Sequence, residues 1–217
     1  MRNTSDSAFR QLLNARAADA EVPVDQETRD KCETYFQLLA RWNKRINLTS
    51  LPLEIPTDAT VDRLFVEPLV AAIKLLPADA VSWMDLGSGG GSPAIPMKLV
   101  RPLSSLTMVE SKSRKTAFLR EAVRELQLEN VAVLESRYEV LGNESSPVPR
   151  SLDFVTARAI RLDEILLETV SRLLKHGGRF IYFGAAPLSS PIDANSLSGP
   201  ESVALTRTSE VQLFRLV

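Results

Sequence analysis

The stretch DLGSGGGSP, residues 85–93, holds four of the chain's nine glycines and directly follows the apolar run VSWM. Glycine accepts a positive φ and lets a backbone approach a ligand closely, and prolines just after it mark a helix start whose first N–H groups are unpaired. In an open parallel sheet, ligands bind at such a strand-to-helix turn. The loop is therefore predicted to hold a ligand, with a purely structural turn as the alternative.

Two acids stand where such a ligand would need them. Asp85 opens the loop, and Glu110 ends the next apolar run, at a distance suited to holding a ribose diol. The loop follows G-x-G-x-G, at Gly87, Gly89 and Gly91, whereas Ser92 stands in the last glycine position of a dinucleotide signature. The combination predicts an adenosine-containing cofactor and disfavours a nicotinamide dinucleotide. Helix capping or plain solvation is the alternative for the two acids.

The surrounding pattern predicts the elements that would position these residues. After Pro77, short apolar runs alternate with helical stretches, which indicates βαβ units and a parallel sheet covered on both faces. Before it, apolar residues recur at helical spacing, as at Tyr35, Leu38, Leu39, Trp42 and Ile46. We expect one compact α/β unit with a helical extension over residues 1–77, a ligand-binding domain over 78–217, and a terminal hairpin.

Composition narrows the function classes. The chain has 217 residues, 44% of them hydrophobic, which is enough to bury a hydrophobic core. No apolar run is long enough to span a bilayer, and none resembles a secretory signal, so a cytoplasmic protein is expected. The lone Cys32 is expected to be a buried thiol rather than a nucleophile, and the lone His176 to end a helix before the fifth strand. No metal site is predicted.

A family likeness covers most of the chain. The ordered segments LLARWNKRINLTS, DLGSGGGSPAIPMKLVRP, TAFLREAVREL, ESRYE and FVTARAI resemble the class I S-adenosylmethionine methyltransferases and, among them, the RsmG or GidB family. The resemblance implies a Rossmann-like fold with a mostly parallel seven-stranded sheet. It also implies S-adenosylmethionine as cofactor and methylation of a guanine N7 in small-subunit rRNA. The partner would be the RNA or a ribosomal particle. We expect a monomer with no membrane partner.

The resemblance also assigns residues to the cofactor. The glycine loop would approach its methionine part, with Asp85 supporting the loop, through Gly87, Ser88, Gly89 and Gly91. Glu110 would take the ribose hydroxyls. The turn of Glu135, Ser136 and Arg137 would lie against the adenine, mainly through backbone groups. Arg158 would face the methyl end and the incoming base, as both a cofactor-binding and a catalytic residue.

The family's upstream polar positions are matched at Asn43, Asn47 and Thr49, for which helix capping and turn formation are an equal alternative. For an RNA partner, the helix over 112–126 offers a basic side, consisting of Lys112, Arg114, Lys115, Arg120 and Arg124. A solvated helix face, with Glu121 and Glu125 offsetting the charge, is the alternative. The net charge of −1 adds no general attraction to nucleic acid.

The chemistry of guanine N7 agrees with this chain, because N7 donates a lone pair and the transfer removes no proton, so no general base is needed. Four positions depart from the family pattern. Leu64 replaces a histidine, Glu67-Pro68 replaces Asp-Ser, and Phe183 replaces a lysine. These departures keep two other hypotheses open: a diverged methyltransferase for a small molecule or another RNA, and a non-catalytic cofactor-binding regulator or assembly factor.

Overall fold

The computed structural model describes residues 7–141, 150–185 and 197–217. Seven α-helices are present in this part of the chain: α1 Ala8–Asp19, α2 Gln26–Asn43, α3 Asp58–Val61, α4 Glu67–Leu75, α5 Ala94–Val100, α6 Ser113–Glu125 and α7 Glu164–Leu173. A π-helical turn, Asp62–Val66, joins α3 to α4, and a 3-10 turn, Tyr138–Val140, follows the third strand. In the described ranges, no helix combines the length and apolar character required to cross a bilayer.

One sheet organises the molecule. Its strands are β1 Ser82–Leu86, β2 Ser105–Glu110, β3 Val131–Glu135, β4 Leu152–Arg158, β5 Leu174–Phe183, β6 Leu197–Ala204 and β7 Glu210–Leu216. The strand order is β3-β2-β1-β4-β5-β7-β6, with β1 to β5 parallel and β7 antiparallel to both β5 and β6. The α/β fold, the mostly parallel seven-stranded sheet and the terminal hairpin are confirmed.

Alternation along the strands creates a core on each face of the sheet, since successive strand residues point to opposite faces. In β5, Ile181 and Phe183 pack into the larger apolar cluster with α1, α2, α4, α5 and α6. Phe180 and Tyr182 pack into the smaller cluster with α7. The sheet is thus covered on both faces, which places its ligand-binding edge at the carboxyl ends of the parallel strands.

The N-terminal helices share the larger core. Phe9 of α1 stacks on Phe36 of α2 with ring centroids 4.4 Å apart, and the edge of Phe65 in the π-helical turn meets Phe9 at 4.8 Å. Tyr35 and the strand residue Trp83 are buried in the same cluster. Residues of the extension therefore reach the sheet through continuous packing.

One expected helix end is wrong. The sequence pattern predicts that His176 ends the helix before β5, but α7 ends at Leu173 and β5 begins at the next residue. Leu174 pairs with Leu152 of β4, and the register then shifts, so that Arg179 pairs with Phe154. His176 therefore lies in an exposed bulge of the strand, because pairing with β4 overrides the local helical pattern.

Candidate active site

The carboxyl ends of the parallel strands enclose a cleft of about 460 Å³. Its lining comes from the glycine loop, the ends of β2 and β4, the segment after α2, the π-helical turn and α6, and includes Asn47, Leu48, Arg63, Gly89, Glu110, Lys115 and Arg158. A second pocket of about 210 Å³ adjoins it, sharing Gly87 and Glu110 and adding Ser136, Arg137, Tyr138 and Ile160. The two pockets form a continuous binding edge around Glu110.

The glycines of the loop divide into packing and cleft-facing positions. Gly87, Gly89 and Gly91 all have positive φ values, +65°, +52° and +89°. A Cβ atom at Gly87 would lie 2.6 Å from a side-chain carbon of Ile160, and one at Gly91 would lie 2.5 Å from a side-chain carbon of Ile95. At Gly89 the nearest atom would be 3.7 Å away, an ordinary contact distance, and that glycine lines the cleft. Close ligand approach is therefore possible at Gly89.

The N-terminal extension holds the loop from behind. The Tyr35 hydroxyl of α2 donates a hydrogen bond to the Gly90 carbonyl oxygen, and the Leu48 carbonyl oxygen lies 3.2 Å from where a Gly90 Cβ would stand. Tyr35 is fully buried, and burial raises the pKa of its hydroxyl, so it stays a donor. Sequence reasoning placed Tyr35 on an apolar helix stripe, and nothing in the local pattern indicated the role of its hydroxyl.

Glu110 connects the loop to the start of α6. One carboxylate oxygen accepts from the Gly89 N–H at 3.0 Å, and the other accepts from the Lys112 N–H at 2.8 Å. The residue is only 6% exposed. Each oxygen keeps a further lone pair, so the carboxylate can still accept from two neighbouring hydroxyls of a ligand.

The turn after β3 contributes through two of its three predicted residues. Ser136 donates its N–H to the Glu110 carbonyl oxygen at 3.1 Å, and both Ser136 and Arg137 line the smaller pocket. Glu135 lies outside the linings of both pockets, with its carboxylate accepting from the Ser113 hydroxyl. The Glu135 side chain therefore joins β3 to α6, while its backbone still leads into the pocket turn.

Asp85 lies beneath the loop and is 1% exposed. One carboxylate oxygen accepts from the Thr156 hydroxyl at 2.6 Å, while the other has no hydrogen-bond partner among the described residues. Burial raises the pKa of Asp85 to about 6, and the hydrogen bond from Thr156, which favours the charged form, only partly opposes that. The backbone carbonyl of Asp85 accepts from the Ser88 hydroxyl, which folds the loop back over the carboxylate.

Arg158 ties three segments together. Its guanidinium pairs with the Glu67 carboxylate at 2.8 Å, donates to the Ser92 hydroxyl at 3.1 Å and donates to the Arg63 carbonyl. Its guanidinium carbon lies 4.4 Å from the centre of the Phe183 ring, and its side chain is 7% exposed. Burial lowers the pKa of Arg158 to about 10, so the ion pair persists at neutral pH. The arginine lines the cleft with its charge already balanced.

The departures from the family pattern lie in one cluster around Arg158. Glu67 is its ionic partner, and the buried ring of Phe183 offers it a flat apolar face. A lysine at 183 would instead place a second cation beside the guanidinium. Leu64 packs into the core, and its carbonyl accepts from Ser92 at 3.0 Å.

The upstream polar residues shape a wall of the cleft. The Asn43 side-chain oxygen accepts from the N–H groups of Leu48 and Thr49, at 2.8 and 3.0 Å, and its amide donates to the Thr49 carbonyl at 3.1 Å. The Thr49 hydroxyl accepts from the Leu51 N–H. Turn formation therefore describes Asn43, whereas Asn47 and Thr49 both line the cleft, Thr49 while also bonding within the turn.

The remaining candidate residues are Cys32 and the basic residues of α6. Cys32 is fully buried in α2, and burial raises its pKa to about 12, which confirms the expected inert thiol. Of the basic residues of α6, Lys115 lines the cleft. Glu121 is paired with Arg41 of α2 at 2.7 Å, and the exposed Arg124 lies 3.9 Å from Glu125. Positive charge on α6 is therefore partly offset by acids near its C-terminal end. Near the cleft, Lys115 has no acid within 4.0 Å among the described residues.

Comparison with known proteins points to one family. Residues 28–195 match the GidB family, described as rRNA small subunit methyltransferase G. Curated relatives called ribosomal RNA small subunit methyltransferase G include one from Staphylococcus carnosus, 33% identical over 78% of this chain and 69% of the relative. Another, from Xanthomonas axonopodis pv. citri, is 38% identical over 68% and 64%, and one from Neisseria gonorrhoeae is 34% identical over 78% and 76%.

Solved structures agree on the fold. A SAM dependent methyltransferase from Aquifex aeolicus aligns with a TM-score of 0.55 at 17% identity, covering 72% of this chain and 92% of that one. The antibiotic-resistance methyltransferase Kmr aligns with a TM-score of 0.50 at 15% identity, covering 65% and 89%. At these identities the likeness concerns the Rossmann-like fold alone.

Proposed function

The chain belongs to the GidB family of rRNA small subunit methyltransferases, and we propose that it transfers the methyl group of S-adenosylmethionine to N7 of a guanine in small-subunit rRNA. The family match over residues 28–195 carries the proposal. The cleft supports it, because the glycine loop, Glu110 and Arg158 of the matched segment lie around a single opening.

The residues present fit the cofactor. The position of Gly89 in the cleft lining gives backbone access for the methionine part, and the free lone pairs of Glu110 suit the ribose hydroxyls. The smaller pocket, bordered by Ser136 and Arg137, has the position expected for the adenine, beyond the ends of β2 and β3. When bound, S-adenosylmethionine supplies a methyl group on a positively charged sulfur.

The acceptor step requires alignment and a suitable charge environment. The N7 lone pair attacks the methyl carbon in line with the breaking bond to sulfur, and the transfer releases no proton. Among the described residues lining the cleft there is no histidine or cysteine, which is compatible with such a step. Methylation at N7 leaves the base cationic, and the pairing of Arg158 with Glu67 keeps an unbalanced guanidinium away from that developing charge.

We therefore propose that Arg158 shapes the acceptor side of the cleft as a neutral pair with Glu67. We also propose small-subunit rRNA or the ribosomal particle as partner, in the cytoplasm, with the protein acting as a monomer. Residues 1–77 would form a helical wall for the cofactor domain of residues 78–217, as the Tyr35 contact to Gly90 indicates.

The proposal is tested with purified protein, S-adenosylmethionine and small-subunit particles from a strain that lacks the corresponding gene. Titration calorimetry should detect cofactor binding, and mass spectrometry should detect one new 7-methylguanosine in the rRNA. In the deletion strain the same nucleotide should be unmethylated. Cofactor binding without RNA methylation, together with turnover on a pool of small molecules, would assign the diverged small-molecule activity instead. Binding without turnover on either would assign a regulator.

A further inference from the structure

Several cations of the described residues that lie away from the cleft are paired with acids. Within the described residues, Arg10 contacts Asp30 and Glu33, Arg16 contacts Asp62, Lys31 contacts Glu27, Arg172 contacts Glu168 and Lys175 contacts Asp153. Arg63 and Lys115, which line the cleft, have no acid within 4.0 Å in the described ranges. Two of the described cations that have no acidic partner therefore line this cleft.

The two cations reach the cleft from different sides. Arg63 belongs to the π-helical turn, which packs on α1, α3 and α4. Lys115 belongs to α6, which packs on β2, β3 and α2. Arg63 is exposed and Lys115 is half-buried, so both the guanidinium and the ammonium group are available to a ligand at the opening.

One acid, Glu110, lines the same cleft, where its carboxylate accepts from two backbone N–H groups, and Glu67 is paired with Arg158. The first turn of α6 contains no acidic residue, although the helix dipole favours anions there over cations such as Lys115. Burial lowers the pKa of Arg158 most, and the charge of neighbouring Arg63 lowers it further. With Arg158 paired to Glu67, the two cations Arg63 and Lys115 outnumber the one acid, Glu110, in the cleft lining.

We propose that Arg63 and Lys115 are the two phosphate-binding residues at the cleft opening, holding the RNA backbone on either side of the nucleotide that enters. This rests on the proposed function for the identity of the polyanion. Because the two side chains come from separate elements on one cleft, they suit a strand that passes across the opening. Neither contact would read the base sequence, since phosphates carry none.

Charge-removing variants test this. Arg63→Gln and Lys115→Gln keep most of the side-chain length. The backbone carbonyl of Arg63, which accepts a hydrogen bond from Arg158, is retained in the substitution. The matched control is Lys31→Gln, which removes a cation of α2 that is paired with Glu27 and lines a different groove. Binding of an unmodified small-subunit rRNA fragment is measured between about 50 and about 200 mM salt. Binding of S-adenosylmethionine is measured by calorimetry.

Each phosphate contact contributes about 0.7 to 0.9 to the slope of log affinity against log salt. Each single variant should weaken RNA binding about five- to eightfold at about 0.1 M salt, independently of RNA sequence, and flatten the slope by about one contact. When the salt concentration is raised from about 50 to about 200 mM, the affinity of the double variant for RNA should fall about tenfold less than that of the unchanged protein. Cofactor affinity, and RNA binding by Lys31→Gln, should stay within about twofold.

Several results would overturn the inference. An unchanged salt slope in the double variant would remove both residues from the phosphates. A matching loss of cofactor affinity would assign the cations to the cofactor's carboxylate. The proposed function is judged separately. If the variants weaken RNA binding but the unchanged protein does not methylate RNA, the proposed function is refuted and the phosphate-binding role stands. If the unchanged protein methylates RNA and the variants bind RNA as it does, the phosphate-binding role is refuted and the proposed function stands. Absence of binding by the unchanged protein to both the rRNA fragment and small-subunit particles would refute both.

Discussion

The buried carboxyl of Asp85 allows a quantitative prediction for Asp85→Asn. Its pKa is 3.8 in an ordinary environment and about 6 in the folded protein, because burial disfavours the charged form. The folded state therefore binds the proton more tightly than the unfolded state. Stability from this group is present at low pH and is lost as pH rises from about 4 to about 6. At about 1.36 kcal/mol per pH unit, the difference amounts to about 3 kcal/mol at neutral pH.

The substituted amide has no such titration, yet its oxygen can still accept from Thr156. The free energy of unfolding is measured with urea at pH 4 and pH 7 for both proteins. Relative to the unchanged protein, the variant should gain about 2 kcal/mol between pH 4 and pH 7. Any pH-independent cost of the new amide group, which faces no partner within the described residues, cancels in this comparison.

The control is Asp153→Asn, which should show little change over this pH range. Partial burial raises the pKa of Asp153, but hydrogen bonds from Lys175 and Ser82 outweigh it and lower the pKa overall. Stability from Asp153 is thus present above about pH 4 and lost on further acidification, so its variant should change by less than about 0.5 kcal/mol between pH 4 and pH 7 relative to the unchanged protein. A stability difference for Asp85→Asn that is equal at both pH values would refute the raised pKa, and with it the described burial of the carboxylate.

Gly89→Val should abolish S-adenosylmethionine binding in calorimetry, while Gly177→Val, with a similar positive φ of +76° and nothing within 4 Å of its Cβ, should cost only stability. Equal affinities in the two variants would contradict the cleft-facing position of Gly89. Asn43→Ala should lower the free energy of unfolding by about 2 to 3 kcal/mol, because three hydrogen bonds of the cleft wall are lost. A change under about 0.5 kcal/mol in urea unfolding would show that Asn43 does not stabilise this wall. Arg158→Ala should lower kcat more than cofactor affinity. Adding Glu67→Gln should recover part of the lost kcat, because it removes the carboxylate that the first substitution leaves unpaired. If kcat does not recover, the arginine acts without its partner.

Features that depend on neighbours along the chain were predictable. Apolar runs and helical spacing predicted the sheet and its helices, and the glycine-rich turn after β1 predicted the ligand-binding edge. Glu110 was placed correctly at the end of β2. These features follow from backbone geometry and periodicity, which residues two to four positions apart already express. The helix end near His176 was missed because a long-range pairing with β4 competes with the local pattern.

The partners of Arg158 could not be predicted in this way. Its ionic partner Glu67 is 91 positions away, and its hydroxyl acceptor Ser92 is 66 positions away. Phe183 and Leu64 stood out in the sequence only as departures from a pattern. In the structure, Phe183 supports the guanidinium, and Leu64 supplies the carbonyl that orients Ser92.

The sequence by itself determined the alternation of strands and helices, the glycine loop and the acid that ends the second strand, because each arises from local conformational preference. Only the tertiary structure decided which charges are free to act. Burial in the core raises the pKa of Asp85, pairing neutralises Arg158, and Arg63 and Lys115 line the cleft with no acid within 4.0 Å among the described residues. Electrostatic energy depends on distance and on the exclusion of water, and both are set by packing between segments that are remote in sequence.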